Sequence, residues 1–386
     1  MKRLLTIILV CALIAGVGVG CKKAEVKPTE QVVNLGGIFP MTGGSASFGI
    51  WSKEGVVMAV EEFNAAGGAM VDGVKTTINY INEDDTGSPE VGASAAHKLI
   101  DQDKVIGIIG APMSKVCLAF VPIAQAAGVP VISGEASELS VTLVGDYIFR
   151  ACFINSFQGT VMAKYAYNTL KVKTAAILYD NGNDYNKGLA ENFKKDFEAL
   201  GGKVVAYEAF TDEATTIDYK PQLTKIKAAK PEFLYLPNNY GAVALQLKQA
   251  RELGLNVPAG GNDGWDSPEL VKIGGAAVEG GVFANFFSKD DPSPKVQAFV
   301  AAYTAKYGAA PDAQAAMGYD ATGLLLDAFK TCGSIKGSDI RDAIKNTTFS
   351  GISGAYKFDA NRNPIKAAVI LQIKNGQYTY LTTVNP

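Results

Sequence analysis

One pattern dominates the chain from residue 32 onward. Short apolar runs alternate with longer stretches whose apolar positions fall at helical spacing. VNLGGIFP (33–40) reads as a buried strand ending in a turn. SKEGVVMAVEEFNAAGG follows, with Val56, Val60 and Phe63 on one helical face and Gly67–Gly68 as its stop. TTINYINED is the next strand, PEVGASAAHKLIDQD a helix and VIGIIG a strand. SKVCLAFVPIAQAAG is a helix with a kink expected before Pro122, and PVIS is a strand again. The pattern restarts with strands TAAILYD, KVVAYEAF and EFLYLP between helices YNKGLAENFKKDFEALGG, DYKPQLTKIKAAK and GAVALQLKQARELG. Such alternation builds βαβ units and parallel sheets. The chain is therefore predicted to form two α/β halves, roughly 33–152 and 174–262, with ligands outside the carboxyl ends of the strands. The last third differs. It predicts helices near 293–306, 313–332 and 337–346, then an antiparallel pair, AVILQIKNGQYTYL, turning at Asn375–Gly376.

A chain of 386 residues is too long for one ordinary core and suits two domains. Hydrophobic content of 48% and charged content of 19% describe a globular protein. A net charge of −2, with no basic run and no interleaving of aromatic and basic residues, gives no sign of a nucleic-acid partner. Residues 1–20 have a basic start, an apolar stretch and small residues before Cys21, and read as a secretory signal. A single-span anchor is the rival reading, disfavoured by Gly16, Gly18 and Gly20. The polar stretch KKAEVKPTEQ makes residues 21–32 a flexible tether. No other segment is apolar enough to span a bilayer. Cys117, Cys152 and Cys332 are spaced neither for zinc nor for CxxC chemistry. They read as small buried hydrophobes, with one disulfide as the alternative.

Catalytic machinery is hard to assemble. The single histidine, His97, lies within the helical run SAAHKLI and reads as a surface or packing residue. The chain has no G-x-S-x-G elbow, no phosphate-binding G-x-x-x-x-G-K-[ST] and no H-E-x-x-H. NEDDTGSPE (82–90) offers oxygen ligands but lacks the spacing of a calcium loop. It reads as a strand-to-helix turn in which Asp85, Thr86 or Ser88 caps the helix opening at Pro89. Neither a metal nor a cofactor is expected. GGNDGWDS (260–267) is the more telling stretch. Asp263 and Asp266 flank Trp265 on a backbone left bare by glycine. The indole offers an apolar wall or a face for a cation, and Asp266 reads as a cap for a helix beginning near Ser267. A plain turn is the competing reading.

GIFPMTGGSASFG, IGIIGAPMS, VPVISGEASELS, FRACFINSFQG, LKQARELGL and GGNDGWDSPEL occur in an order and spacing that carry a resemblance. From Val33 onward the chain resembles the type I periplasmic solute-binding proteins, in the leucine/isoleucine/valine-binding branch that serves ABC importers. The resemblance implies two Rossmann-like lobes with parallel sheets, joined by three crossover strands. It implies lobe 1 as 33–153 and 287–350, and lobe 2 as 154–286 and 351–386. It also implies a ligand in the cleft between them. The ligand's carboxylate would meet Ser114 and the pair Ala136–Ser137, and its α-ammonium would meet Asp263. Phe48, Tyr185, Trp265, and Tyr240 or its neighbour Asn239 would form the wall. Ser114 would also cap a helix over 115–127, whose free N–H groups attract an anion. Asn155 stands where the family has an aspartate. The N-terminus resembles a bacterial lipoprotein signal, in which Cys21 is lipidated.

The resulting expectation is an extracytoplasmic, lipid-anchored monomer that performs no chemistry. It would pass an amino acid, branched-chain or otherwise aliphatic, to an ABC permease in the membrane. A sensor for an amide, urea or another small carboxylate is the alternative, because a fold does not fix a function. An enzyme would need a general base or a cofactor site, and the sequence offers neither. Asn181, Asn183, Asn238, Asn239 and Asn262 near strand ends make the pocket unusually polar.

Overall fold

The computed structural model describes residues 29–385. The leader, the candidate lipidation site Cys21 and most of the tether lie outside them. The first sheet is built from β1 (Glu30–Phe39), β2 (Ala69–Val71), β3 (Val74–Asp84), β4 (Ile108–Gly110), β5 (Val131–Ser133) and β6 (Ile148–Arg150), in the order β2-β3-β1-β4-β5-β6. All its pairings are parallel except β2 with β3. The second sheet takes β7 (Thr174–Asp180), β8 (Lys203–Phe210), β9 (Phe233–Tyr235), β10 (Ala259–Gly261) and β11 (Val282–Asn285). A small hairpin, β12 (Phe349–Gly351) with β13 (Gly354–Tyr356), stands apart from both sheets. The last strands, β14 (Ala368–Lys374) and β15 (Gln377–Val384), add antiparallel to β11 and complete the second sheet as β15-β14-β11-β10-β9-β7-β8. This is the mixed α/β architecture of two Rossmann-like lobes.

The strand centres are apolar because helices cover both faces, as in doubly wound sheets. Ile108, Ile109, Val131, Ile132, Leu234 and Phe283 are fully buried. The helix Ala46–Ala65 packs against the helix Ala313–Cys332, and this docking depends on glycine. A Cβ on Gly55 would collide with the carbonyl of Ala315, and one on Gly318 with that of Ser52. The predicted Asn375–Gly376 turn joins β14 to β15, and both residues have positive φ, 52° and 68°, as a tight hairpin requires. The helix Ser114–Ala127 continues through Pro122 and ends at Gly128 in the left-handed region. Several elements went unread in the sequence, among them β2, β6, β11 and the β12–β13 hairpin, all strands of three or four residues, and the helix Asn155–Lys164.

The chain passes between the sheets after β6, after β11 and before β14. Phe153 on the first passage meets Phe286 on the second, with ring centroids 4.4 Å apart. Lys366 on the third reaches Ala151 O at 3.4 Å and Ser353 Oγ at 2.6 Å. Burial lowers the Lys366 ammonium to about 8, and the buried Asp320 nearby favours its charged form.

The remaining expectations place themselves on this frame. Ser88 caps the helix Pro89–His97, accepting from Val91 N at 3.4 Å. Asp84 accepts from Met41 N and Thr86 N, both at 2.8 Å, and from Thr42 Oγ1 at 2.7 Å, so it fastens the loop after β1. His97 lies on the surface, 3.1 Å from Asp101. Cys117 and Cys152 are buried, Cys332 is half-buried, and all are free thiols.

Candidate functional site

Strand ends from both sheets open onto one cleft, a space of about 350 Å³ that is partly open to solvent. Phe48 enters it from the helix after β1. Pro112, Met113 and Ser114 follow β4, and Glu135 follows β5. From the other side come Asn183 and Tyr185 after β7, Asn239 after β9, and Asp263 and Gly264 after β10. Gln314, in the first turn of the helix Ala313–Cys332, closes the wall.

Asp263 gives the cleft its electrostatic character. It lies in a short 3-10 turn, Asp263–Trp265, and is buried. Tyr185 Oη donates to its Oδ1 at 2.8 Å, and its backbone N donates to Gln158 Oε1 at 3.2 Å. Asn262 Nδ2 donates in turn to Tyr185 Oη. Among the described residues no lysine or arginine lines the cavity. Burial pushes the Asp263 carboxyl up to about 6, against an ordinary 3.8, although the surrounding donors work the other way. The Tyr185 phenol is pushed well above its usual value by burial and by the Asp263 charge. Gly264 admits this arrangement, because a Cβ there would stand 2.7 Å from Asn239 Oδ1 and 3.1 Å from Tyr185 Oη.

The opposing lobe presents a helix start. Ser114 is the first residue of the helix Ser114–Ala127, and Met113 occupies the cap position. This corrects the expectation that Ser114 caps the helix: its Oγ accepts from Glu138 N at 3.3 Å instead. The first-turn N–H groups and the helix dipole still favour an anion there. The neighbouring loop after β5 is held by Arg150, which is fully buried. Its Nη1 donates to Ala136 O at 2.8 Å and its Nη2 to Glu138 O at 2.7 Å. That clamp presents Glu135 to the cleft, where burial, followed by weaker effects including the Asp263 charge, pushes its carboxyl up to about 8.

Residues 32–377 match the family model described as "Periplasmic binding protein". The chain belongs to this family. An amino acid binding protein of Pseudomonas aeruginosa is 30% identical over 332 residues, covering 86% of this chain and 86% of the relative. The crystal structure of a leucine binding protein, LivK, from Thermotoga maritima superposes with a TM-score of 0.85 at 35% identity, covering 92% of this chain and 99% of that one. The branched-chain amino acid transporter substrate binding protein LivJ from Streptococcus pneumoniae, solved with isoleucine, also gives 0.85 at 32% identity, covering 92% and 100%. These relatives are solute-binding proteins, and the family implies a place outside the cytoplasm. Among the described residues no helix is long and apolar enough to cross a membrane.

In this binding protein, Phe48, Ser114, Tyr185 and Asp263 meet in the cleft. Other candidate residues lie behind it. Trp265 is fully buried, donates from Nε1 to Leu236 O at 3.0 Å and packs on Phe283, so its indole belongs to the core. Gly261 makes room for that indole and Gly260 for Phe233, so neither brings backbone to the cleft. Ala136 and Ser137 are fully buried beside the cavity. Ala136 N donates to Ser133 Oγ at 2.9 Å, and Ser137 Oγ donates to Asn155 Oδ1. Tyr240 leaves the wall to Asn239 and reaches across the cleft to Gly44 O at 2.8 Å, with its ring edge-on to Phe48 at 4.9 Å. Asp266 does not cap the following helix. Ser267 does, accepting from Glu269 N at 3.2 Å. Asp266 Oδ2 instead accepts from Asn285 Nδ2 and Ala313 N, both at 2.8 Å. Asn155 Nδ2 donates to Glu138 Oε2 at 2.8 Å and to Tyr185 O at 3.3 Å, so the residue at the family's aspartate position links the lobes. Sequence reading missed Glu135, Gln314 and Arg150. The available signal was a polar side chain embedded among small or apolar neighbours, as in GEAS, AQAA and IFRAC.

A carboxyl whose folded-state pKa is raised holds its proton more tightly in the native state. The stability linked to Asp263 is therefore present below pH 3.8 and is lost as pH rises to about 6. In the ligand-free protein at pH 7, Asp263→Asn should be more stable than wild type by on the order of 1–3 kcal/mol. The gain should shrink at pH 4. Urea unfolding of both proteins at the two pH values checks this, and a variant less stable at pH 7 contradicts it.

Proposed function

We propose that this periplasmic binding protein captures an amino acid and delivers it to an ABC permease. The observation that carries the reading is Asp263: a buried carboxylate, held by Tyr185, on a cavity whose lining contains no cation. An α-ammonium is the partner it lacks. The first turn at Ser114 lines the same cavity and suits the α-carboxylate, with Ser137 adjacent. The two poles of a zwitterion thus have counterparts on the two sides of the cleft. Phe48 and Tyr185 supply apolar faces for the carbon skeleton. The names of the relatives, with their leucine and isoleucine, support the same class.

The lobes are taken as 33–153 with 287–350 and 154–286 with 351–386, which fits the three passages of the chain between the sheets. Closure by rotation about those passages buries the ligand, the hinge mode open to two-lobed binding proteins. Cys21 is taken as the lipid anchor, on the basic-apolar-small order before it and the polar tether after it.

Asp263→Asn should lose most affinity for its amino acid while remaining folded. Leaving a buried ammonium without its charged partner costs about 2–5 kcal/mol. That is roughly thirty-fold to a few thousand-fold in Kd. Asp266→Asn should change affinity much less, because it lies off the cavity and its amide oxygen still accepts. Titration calorimetry on both variants decides the matter. Unchanged affinity in Asp263→Asn would mean a ligand without an ammonium. Expression with labelled fatty acid should show incorporation that disappears in Cys21→Ser. A soluble, unlabelled mature protein contradicts the anchor.

A further inference from the structure

The cleft carries a second carboxylate that the α-ammonium and α-carboxylate of an amino acid leave unused. Glu135 lines the cavity, is 4% exposed, and its Oε2 has no hydrogen-bond partner among the described residues. Gln314 lines the same cavity, is 2% exposed, and its Oε1 also lacks a partner. The one contact of Glu135 Oε1 is with Ser52 Oγ at 2.8 Å, and Ser52 lies equally close, 2.8 Å, to Phe48 O. A hydroxyl has a single proton. When Ser52 donates it to the Phe48 carbonyl, no other side chain among the described residues donates to Glu135.

Charge points the same way. Among the described residues Glu135 and Asp263 are the only acidic side chains lining the cavity, and no basic one accompanies them; burial holds the Glu135 carboxyl up to about 8, and a cation beside it favours its charged form. A zwitterion with an aliphatic side chain answers Asp263 alone and leaves Glu135 and Gln314 desolvated without a donor. Buried acceptors in that condition weaken binding, whereas a charged donor aimed at them strengthens it. We infer that Glu135 and Gln314 form a subsite for a cationic group on the ligand's side chain, so that the captured molecule is a basic amino acid. Its α-ammonium would lie on Asp263, and its side-chain ammonium or guanidinium would lie on Glu135 with Gln314 beside it. Two carboxylates and one helix start then meet two cations and one carboxylate, so that each charged group of the ligand has a counterpart in the cleft. This inference rests on the amino-acid reading above and adds the side chain to it.

The test is titration calorimetry of lysine, arginine, glutamine, leucine and isoleucine against the wild-type protein and against Glu135→Gln and Glu135→Ala. Lysine or arginine should bind wild type at least tenfold more tightly than leucine. Both variants should lose tenfold or more for that basic ligand, while their affinity for leucine should hold or rise, because the change removes a buried charge that leucine leaves unpaired. Glu135→Gln keeps the side chain's shape, and unfolding curves of both variants separate lost binding from lost folding. Leucine, isoleucine or glutamine binding more tightly than every basic amino acid overturns the inference and leaves the amino-acid reading intact. So does a basic ligand whose affinity survives in both variants. Failure of every α-amino acid to bind wild type overturns the two together.

Discussion

A carboxylate buried without a cation is costly, and in this protein Asp263 is such a group. The protein surrounds it with the Tyr185 hydroxyl and with Gln158 and Asn262 amides, yet its carboxyl remains pushed up to about 6. These donors moderate the cost without removing it, because burying an ion away from water outweighs a few hydrogen bonds. The rest of the site follows from holding that charge in place. Gly264 keeps the turn close to Tyr185 and Asn239. Glu213 accepts from Asn239 N at 3.0 Å and steadies the neighbouring wall. A ligand that brings a cation to Asp263 gains a pairing that the side chains lining the cavity do not supply.

Closure needs contacts between the lobes that are adequate but not dominant. Several are present: Tyr240 to Gly44, Ser47 Oγ to Ser267 Oγ at 2.9 Å, and Asp266 to the start of the helix Ala313–Cys332. They are mostly single hydrogen bonds, each with a modest net contribution of about 1 kcal/mol. The passages between the sheets are fixed more firmly, by Phe153 on Phe286 and by the buried Lys366. On the proposed function, weak contacts at the cleft mouth and a packed hinge would let two arrangements of the same lobes compete, with a ligand tipping the balance.

Much of the fold was legible because strand and helix periods recur over long stretches, and tertiary context rarely erases a pattern repeated that often. The strands that escaped, among them Ala69–Val71, Ile148–Arg150, Val282–Asn285, Phe349–Gly351 and Gly354–Tyr356, are too short to display a period. At the site, Asp263 and Ser114 were legible through the family resemblance, and their places agree with the rule that ligands meet such sheets outside the carboxyl ends of the strands. Trp265 was not, because glycines on its flanks suggest an open backbone when they in fact vacate space for the indole. Glu135 was hidden for the opposite reason. A glutamate in a loop of small residues looks solvated until Arg150, fourteen and twelve residues away in sequence from the Ala136 and Glu138 carbonyls it grips and adjacent to them in space, turns the loop inward.

The central claim is that two lobes close on an amino acid around the buried acid. Small-angle scattering measures this directly, as the radius of gyration of the protein with and without saturating ligand chosen from a panel of amino acids. The account predicts that the radius falls for the amino acid that binds and that the fall is absent in Asp263→Asn at the same ligand concentration. A radius that stays constant at demonstrated saturation would contradict it, because the ligand would then occupy a rigid scaffold.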